Sequence, residues 1–222
     1  MRRSKRLSVK GFEPPLVYAP VGAIVMTEAA VEQRFTFNEW ATHNDGSDTR
    51  YELVDGELRP ISLGTGRHGR ITKFLEKAVD TEITRLGLEW TAERFSIGVQ
   101  SPRGSRWDTG RIPDIVVVTL QQWEQLQNRE AVIALNEPPP ILVMEVISPS
   151  TALEDYRAKL AEYCVLDISE YWIVDPFEEK VTVCTLQNGL YDLEVFRGKD
   201  RLLSPTFTEL ILTAHQILTA GN

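Results

Sequence analysis

Seven consecutive residues, Ile141-Leu142-Val143-Met144-Glu145-Val146-Ile147, constrain this chain more than any other feature. A strand with one wet face alternates apolar and polar residues. This run is apolar at every position but one, so it reads as a strand covered on both sides. Such a strand belongs to a sheet with layers against both faces, and the rest of the chain offers the pieces.

Residues 68–86 place Ile71, Phe74, Leu75, Ala78 and Ile83 at helical spacing, with Gly87 as terminator. "TFNEWATH" reads as a short helix, and "RYELVDGELRPIS" as two strands joined by a tight turn at Asp55-Gly56. "LEWTAERFSIGVQ", "IPDIVVV" and "SEYWIVDP" have strand character. "SPRGSRWDTGR" reads as a polar loop and "QQWEQLQNR" as a short helix. Thr151 and Glu154 form a capping-box signal for a further helix, and "KVTVCTLQNGLYDLEVF" reads as a second hairpin around Asn188-Gly189. "TFTELILTAHQIL" fits strand and helix equally. The expectation is an α/β chain of the mixed kind: one mixed sheet flanked by helices, without repeats or a low-complexity linker.

The 222 residues suit one domain, expected over 31–222 and preceded by a flexible basic extension over 1–30, with Met26 an alternative start to Met1. The basic start and apolar patch of that extension resemble a secretory signal, but Glu13, Pro14, Pro15 and Pro20 interrupt it. No stretch approaches the roughly 18 apolar residues of a membrane span, so the chain reads as soluble. Cys164 and Cys184 sit among apolar residues and read as buried free thiols, which suits a reducing cytoplasm. Residues 1–25 carry five Lys/Arg and one acid, leaving 19 Lys/Arg against 31 acids in the remainder. An acidic body argues against non-specific nucleic-acid binding but tolerates a phosphoryl site in which a metal ion carries the positive charge.

Three charges interrupt apolar patterns. Strand alternation puts Glu145 on the face of Val143 and Ile147, where an ionised carboxylate needs a cation, a donor or a proton. On the helix after Thr151, stepped at about 100° per residue, Tyr156, Leu160, Tyr163, Cys164 and Leu166 form one stripe. Lys159 projects between Tyr163 and Leu166, while Glu154, Arg157, Ala158, Ala161 and Glu162 face outward. Asp114 opens Ile115-Val116-Val117-Val118. If the two strands are neighbours, Asp114 and Glu145 converge as oxygen ligands of a hard cation such as Mg2+, with Lys159 alongside. The alternative is a structural Glu145–Lys159 ion pair with Asp114 an exposed strand-edge acid.

Taken in order, "RYELVDGEL", His68, "IPDIVVV", "ILVMEVISPST", "DYRAKLAEYC" and "SEYWIVDP" resemble the Uma2 family of restriction-endonuclease-like proteins over roughly residues 35–200. That family is placed in the PD-(D/E)XK nuclease superfamily, so the resemblance implies a restriction endonuclease-like core and Mg2+-dependent, or Mn2+-dependent, hydrolysis of DNA. The superfamily motif falls on Pro113-Asp114 and Glu145-Val146-Ile147, with Ile147 at the lysine position. Lys159 from the following helix then stands in, as in relatives of this type. The resemblance implies Asp114, Glu145, Lys159 as catalytic groups and adds the Val146 carbonyl and, more weakly, Glu52 as metal ligands. Glu52 otherwise reads as a strand-edge acid. His68 reads as a phosphate contact or merely as the start of a helix, and Arg103, Arg106 and Arg111 as backbone contacts or a solvated loop. Nuclease-like domains of this type often form a homodimer.

Two other readings bear on function. "GTGRHG" matches G-x-G-x-x-G, but "ELRPIS" before it is a polar hairpin arm containing Pro60, so the glycines read as a flexible loop ahead of the helix. A nuclease fold kept as a catalytically silent binding or assembly protein is the remaining alternative. No zinc spacing, Walker sequence or Gly-x-Ser-x-Gly elbow occurs, and His43, His68 and His215 are scattered.

Overall fold

The computed structural model describes residues 33–102, 108–148 and 152–220. The expected extension over 1–30, Arg103, Arg106 and Thr151 lie outside the described residues. Helix α1 (Phe37–Ala41) starts at a reciprocal cap between Thr36 and Glu39. Strands β1 (Tyr51–Val54) and β2 (Glu57–Pro60) form the expected hairpin, and φ of 55° at Asp55 and 78° at Gly56 is what a type I′ turn demands. Helix α2 (Gly66–Leu86) ends at Gly87 with φ 64°. It begins two residues earlier than expected: Thr65 Oγ1 accepts from the His68 backbone N–H, and this cap carries Gly66, expected in a loop, into the helix.

The single strand expected across residues 88–100 is two, β3 (Trp90–Arg94) and β4 (Gly98–Ser101), because Phe95 turns the chain with φ 55°. There follow β5 (Thr109–Arg111), β6 (Ile115–Thr119), α3 (Leu120–Leu126), β7 (Val132–Ile133) and β8 (Leu142–Val146). A π-helical turn (Glu154–Lys159) runs directly into α4 (Leu160–Val165), then β9 (Glu170–Asp175), β10 (Lys180–Gln187), β11 (Leu190–Arg197) and α5 (Ala214–Leu218). The ambiguous C-terminal segment is helical only from Ala214, where Thr213 caps it.

Two mixed sheets form instead of one. The larger has the order β11-β10-β9-β8-β6-β3 with only β8 and β9 parallel, and the smaller has the order β2-β1-β5-β4-β7. Strand β8 is buried at all five positions, as its unbroken apolar run requires. On one face Leu142, Met144 and Val146 pack with Ile71, Leu75 and Val79 of α2. On the other, Val143 and Ile147 pack with Tyr163 of α4 and with Tyr171 and Ile173 of β9. Full burial of each such side chain stabilises by about 1.5–3 kcal/mol, which fixes the register of β8 and hence the side on which Glu145 projects. Both cysteines are free, but Cys164 is only half-buried because it sits at the end of α4 beside Gly189. Among the described residues no helix is long and apolar enough to cross a membrane.

Candidate functional site

Strands β6 and β8 run antiparallel with Ile115 opposite Met144, so the next residues outward, Asp114 and Glu145, face each other at the strand ends. Neither is a surface acid: Asp114 is 9% exposed and Glu145 4%. This contradicts the exposed position that the alternative reading gave Asp114, although the Glu145–Lys159 ion pair of that same alternative is present. Asp114 Oδ2 accepts from the Val146 N–H at 2.6 Å, and its backbone carbonyl accepts from the Phe95 N–H at 3.1 Å.

The connection from β8 to the parallel β9 returns over this end of the sheet, and its π turn delivers the amine. Lys159 Nζ lies 2.9 Å from Glu145 Oε1, 2.9 Å from Asp155 Oδ1 and 3.8 Å from Glu52 Oε1. Tyr163 donates its hydroxyl to the same Glu145 oxygen at 2.9 Å. π turns are rare and often mark functional sites. Here the wider turn changes the helical phase, and Glu162, expected to face outward, is 4% exposed.

Its partner is Arg111. Expected in a polar loop, as a nucleic-acid backbone contact or a solvated residue, Arg111 lies instead in β5 with no exposed surface. It donates to Glu162 at 2.8 and 3.0 Å and to Glu52 at 3.2 Å, and lies 2.9 Å from Glu154. Such a guanidinium cannot reach a duplex backbone. Glu52 is thereby brought to the edge of the site, where Oε2 faces Arg111 and Oε1 accepts from the Ile112 N–H at 3.2 Å.

The model of the Uma2 family, described as "Putative restriction endonuclease", matches residues 35–215. The chain belongs to the Uma2 family. No protein of curated function matches it. A solved structure from Anabaena variabilis ATCC 29413, described as "a putative nuclease belonging to DUF820", superposes with a TM-score of 0.66 at 18% identity, covering 85% of this chain and 99% of that one. At that identity the likeness concerns the fold: mixed sheets flanked by helices, shared with a neighbour described as a nuclease.

In this Uma2 chain, electrostatics at the strand ends are lopsided. Glu52, Asp114, Glu145, Glu154, Asp155 and Glu162 gather around Lys159, Arg111 and, from the surface, Arg59 at 3.6 Å from Glu154. Burial, with help from Asp114, Asp155 and Glu52, raises the Glu145 carboxyl above its ordinary value despite Lys159. Burial alone would lower the Lys159 ammonium, but Glu145, Glu52 and Asp155 hold it well above its ordinary value. Lys159 is thus a fixed cation and not a base at neutral pH. Burial and the neighbouring Glu145 push the Tyr163 phenol up as well, so it stays a hydroxyl donor.

Asp155 escaped the sequence reading, and His68, read as a phosphate contact or the start of a helix, does stand at the start of the helix but makes a contact the sequence did not suggest. His68, in the first turn of α2, places Nε2 3.1 Å from Asp114 Oδ2 and stacks on Phe95. Its spacing to Ile71, Thr72 and Leu75 puts it on the buried stripe of α2, a signal of the kind that singled out Lys159. Asp155, one turn before Lys159, carried the same signal.

Among the described residues no group of three or more His, Cys, Asp or Glu side chains is disposed to hold a metal ion. The donor set is sparser and consists of hard oxygens. The described bonds of Asp114 and Glu145 fall on Oδ2 and Oε1, which leaves Oδ1 and Oε2, while the Val146 backbone is also engaged by His68. One or two carboxylates with remaining positions for water and substrate oxygens suit Mg2+ or Mn2+, and fit neither zinc nor copper.

Proposed function

We propose that this chain is a divalent-cation-dependent endonuclease that hydrolyses phosphodiester bonds in DNA. Asp114 and Glu145 hold Mg2+ or Mn2+, with the Val146 carbonyl as a third protein oxygen. The observation that carries this reading is the meeting of two acids from neighbouring strands with an amine from the following helix, inside a cluster of six acids and three cations. The family description and that of the Anabaena protein support a nucleic-acid substrate. In an acidic body, the cation also explains how a phosphate could approach.

A bound divalent cation would supply Lewis acidity toward the scissile phosphate and acidify the attacking water. The protein's own groups do the rest. Lys159, permanently charged, donates to a non-bridging phosphate oxygen as negative charge grows there. Tyr163 fixes the Glu145 carboxylate by holding Oε1. Asp155 and Glu52 hold Lys159 in place, and Arg111 in turn anchors Glu52 and Glu162.

One observation favours a second reading, the catalytically silent nuclease fold: Lys159 already has carboxylate partners on three sides. Supercoiled plasmid separates the two. Nicking by the purified wild type that needs Mg2+ or Mn2+, stops with EDTA and disappears in Lys159→Ala and Asp114→Asn supports catalysis. Equal nicking by wild type and Lys159→Ala identifies contamination and overturns it. A cation-dependent rise in melting temperature without any nicking leaves the silent reading.

A further inference from the structure

We infer that His68 is a positioning residue for this site: its imidazole holds Asp114 Oδ2 so that Oδ1 is the oxygen presented to the cation. The inference rests on reading Asp114 and Glu145 as cation ligands. A carboxylate on a single bond can rotate, and a ligand that rotates must be ordered each time an ion binds. Oδ2 of Asp114 is met from two separate elements, by the Val146 N–H of β8 at 2.6 Å and by His68 Nε2 of α2 at 3.1 Å. Two partners use both in-plane lone pairs of that oxygen and fix the plane of the group.

The imidazole is itself held in place. Its backbone N–H is capped by Thr65 Oγ1 at 3.2 Å, and its ring stacks on Phe95 with centroids 6.0 Å apart and planes 22° from parallel. Phe95 has φ 55°, uncommon for a residue other than glycine, and its N–H donates to the Asp114 carbonyl at 3.1 Å. Asp114 is therefore gripped by its main chain and its side chain from one corner. Arg94 lies over the Phe95 ring at 5.7 Å, and the Phe95 carbonyl accepts from Arg50. A β-carbon at Gly64 would come within 2.8 Å of His68 Nδ1, so the absence of a side chain there makes room for the ring. Partners that orient a metal's ligands are worth roughly 10–100-fold in affinity.

The test uses the full chain with Mn2+ as probe, its affinity measured by titration calorimetry and its surroundings by pulsed electron paramagnetic resonance. His68→Ala should weaken Mn2+ binding roughly 10–100-fold. In His68→Gln the amide can still donate to Oδ2, so affinity should stay within about threefold of wild type, whereas the shorter His68→Asn should resemble Ala. Wild-type spectra should lack nitrogen coupling from a bound imidazole. Unchanged affinity in His68→Ala, or equal losses in the Ala and Gln variants, overturns the positioning role. Nitrogen coupling that disappears with His68 also overturns it, by making the ring a direct ligand. If the wild type binds no Mn2+ and Asp114→Asn behaves identically, the cation reading itself has failed, and this inference with it.

Discussion

Replacing Glu145 by glutamine in the absence of divalent cation should stabilise the fold. The amide keeps the shape and still accepts from Tyr163, while Lys159 retains Asp155 at 2.9 Å and is not left unpaired. What disappears is a buried carboxylate with Asp114, Asp155 and Glu52 nearby. Desolvating such an ion costs several kcal/mol, and one ammonium shared among three acids offsets only part. A net gain on the order of 1–3 kcal/mol follows, or roughly 2–12 °C in Tm at about 2–4 °C per kcal/mol for a domain of this size. The sign depends on pH. The folded-state pKa of Glu145 is raised, so its favourable contribution is full below the ordinary value of 4.5 and is lost as pH rises through the folded value. The gap between variant and wild type should therefore be small near pH 4.5 and widen toward and beyond neutrality. In 10 mM Mg2+, with a Kd on the order of 1 mM, the wild type should gain about 1.4 kcal/mol, or roughly 3–6 °C, and Glu145→Gln nothing. Calorimetric melting with EDTA and with Mg2+, at acidic and alkaline pH, reads all of this. A variant that is less stable than wild type by more than about 1 kcal/mol in EDTA at pH 8 would refute the reasoning, because Glu145 would then be a structural half of an ion pair.

Two further substitutions test the frame around the site. Arg111→Met strips Glu162 of its partner, so urea unfolding should show a loss of about 3–5 kcal/mol. The loss should shrink as pH falls and the stranded carboxyl takes up a proton; a change below about 0.5 kcal/mol would contradict the arrangement. Gly110→Ala would set a β-carbon 2.4 Å from the Trp40 ring, whose indole N–H donates to the Tyr51 carbonyl. It should destabilise by about 1–3 kcal/mol and shift the tryptophan emission, and an unchanged Tm would mean that the two do not press together.

Local patterns were legible and long-range pairings were not. Strand β8 was readable because burial on both faces leaves only Glu145 to interrupt its apolar run, and both hairpins because Asp55-Gly56 and Asn188-Gly189 suit positive φ. The division into two sheets depends on partners such as β1 with β5, which no window of sequence contains. Phe95 carries no turn signal, so the break between β3 and β4 was invisible. Asp114, Glu145 and Lys159 stood out as charges inside apolar patterns. Arg111 did not, because its three-residue strand lies next to a loop rich in Ser, Gly and Arg, and its acidic partners Glu52, Glu154 and Glu162 are all far away in sequence. Glu162 was misplaced for a narrower reason: a projection at 100° per residue fails across a π turn.

The charge count bears on whether this cluster does more than hold the chain together. A structural network that only had to satisfy Lys159 could do so with one carboxylate and end near neutrality. Here six acids meet Lys159, Arg111 and Arg59, and the surface continuation through Glu57 and Arg34 adds one charge of each sign without reducing the surplus of three. The part of that surplus that is buried, at Asp114, Glu145, Asp155 and Glu162, is unfavourable unless something compensates it. Asp114 and Asp155, with the Val146 backbone, also raise the pKa of His68 against the effect of burial, which favours its imidazolium form. A proton retained by Glu145, whose pKa burial raises, or a bound dication would each reduce that surplus, and the Glu145→Gln measurement asks how much of it the fold carries.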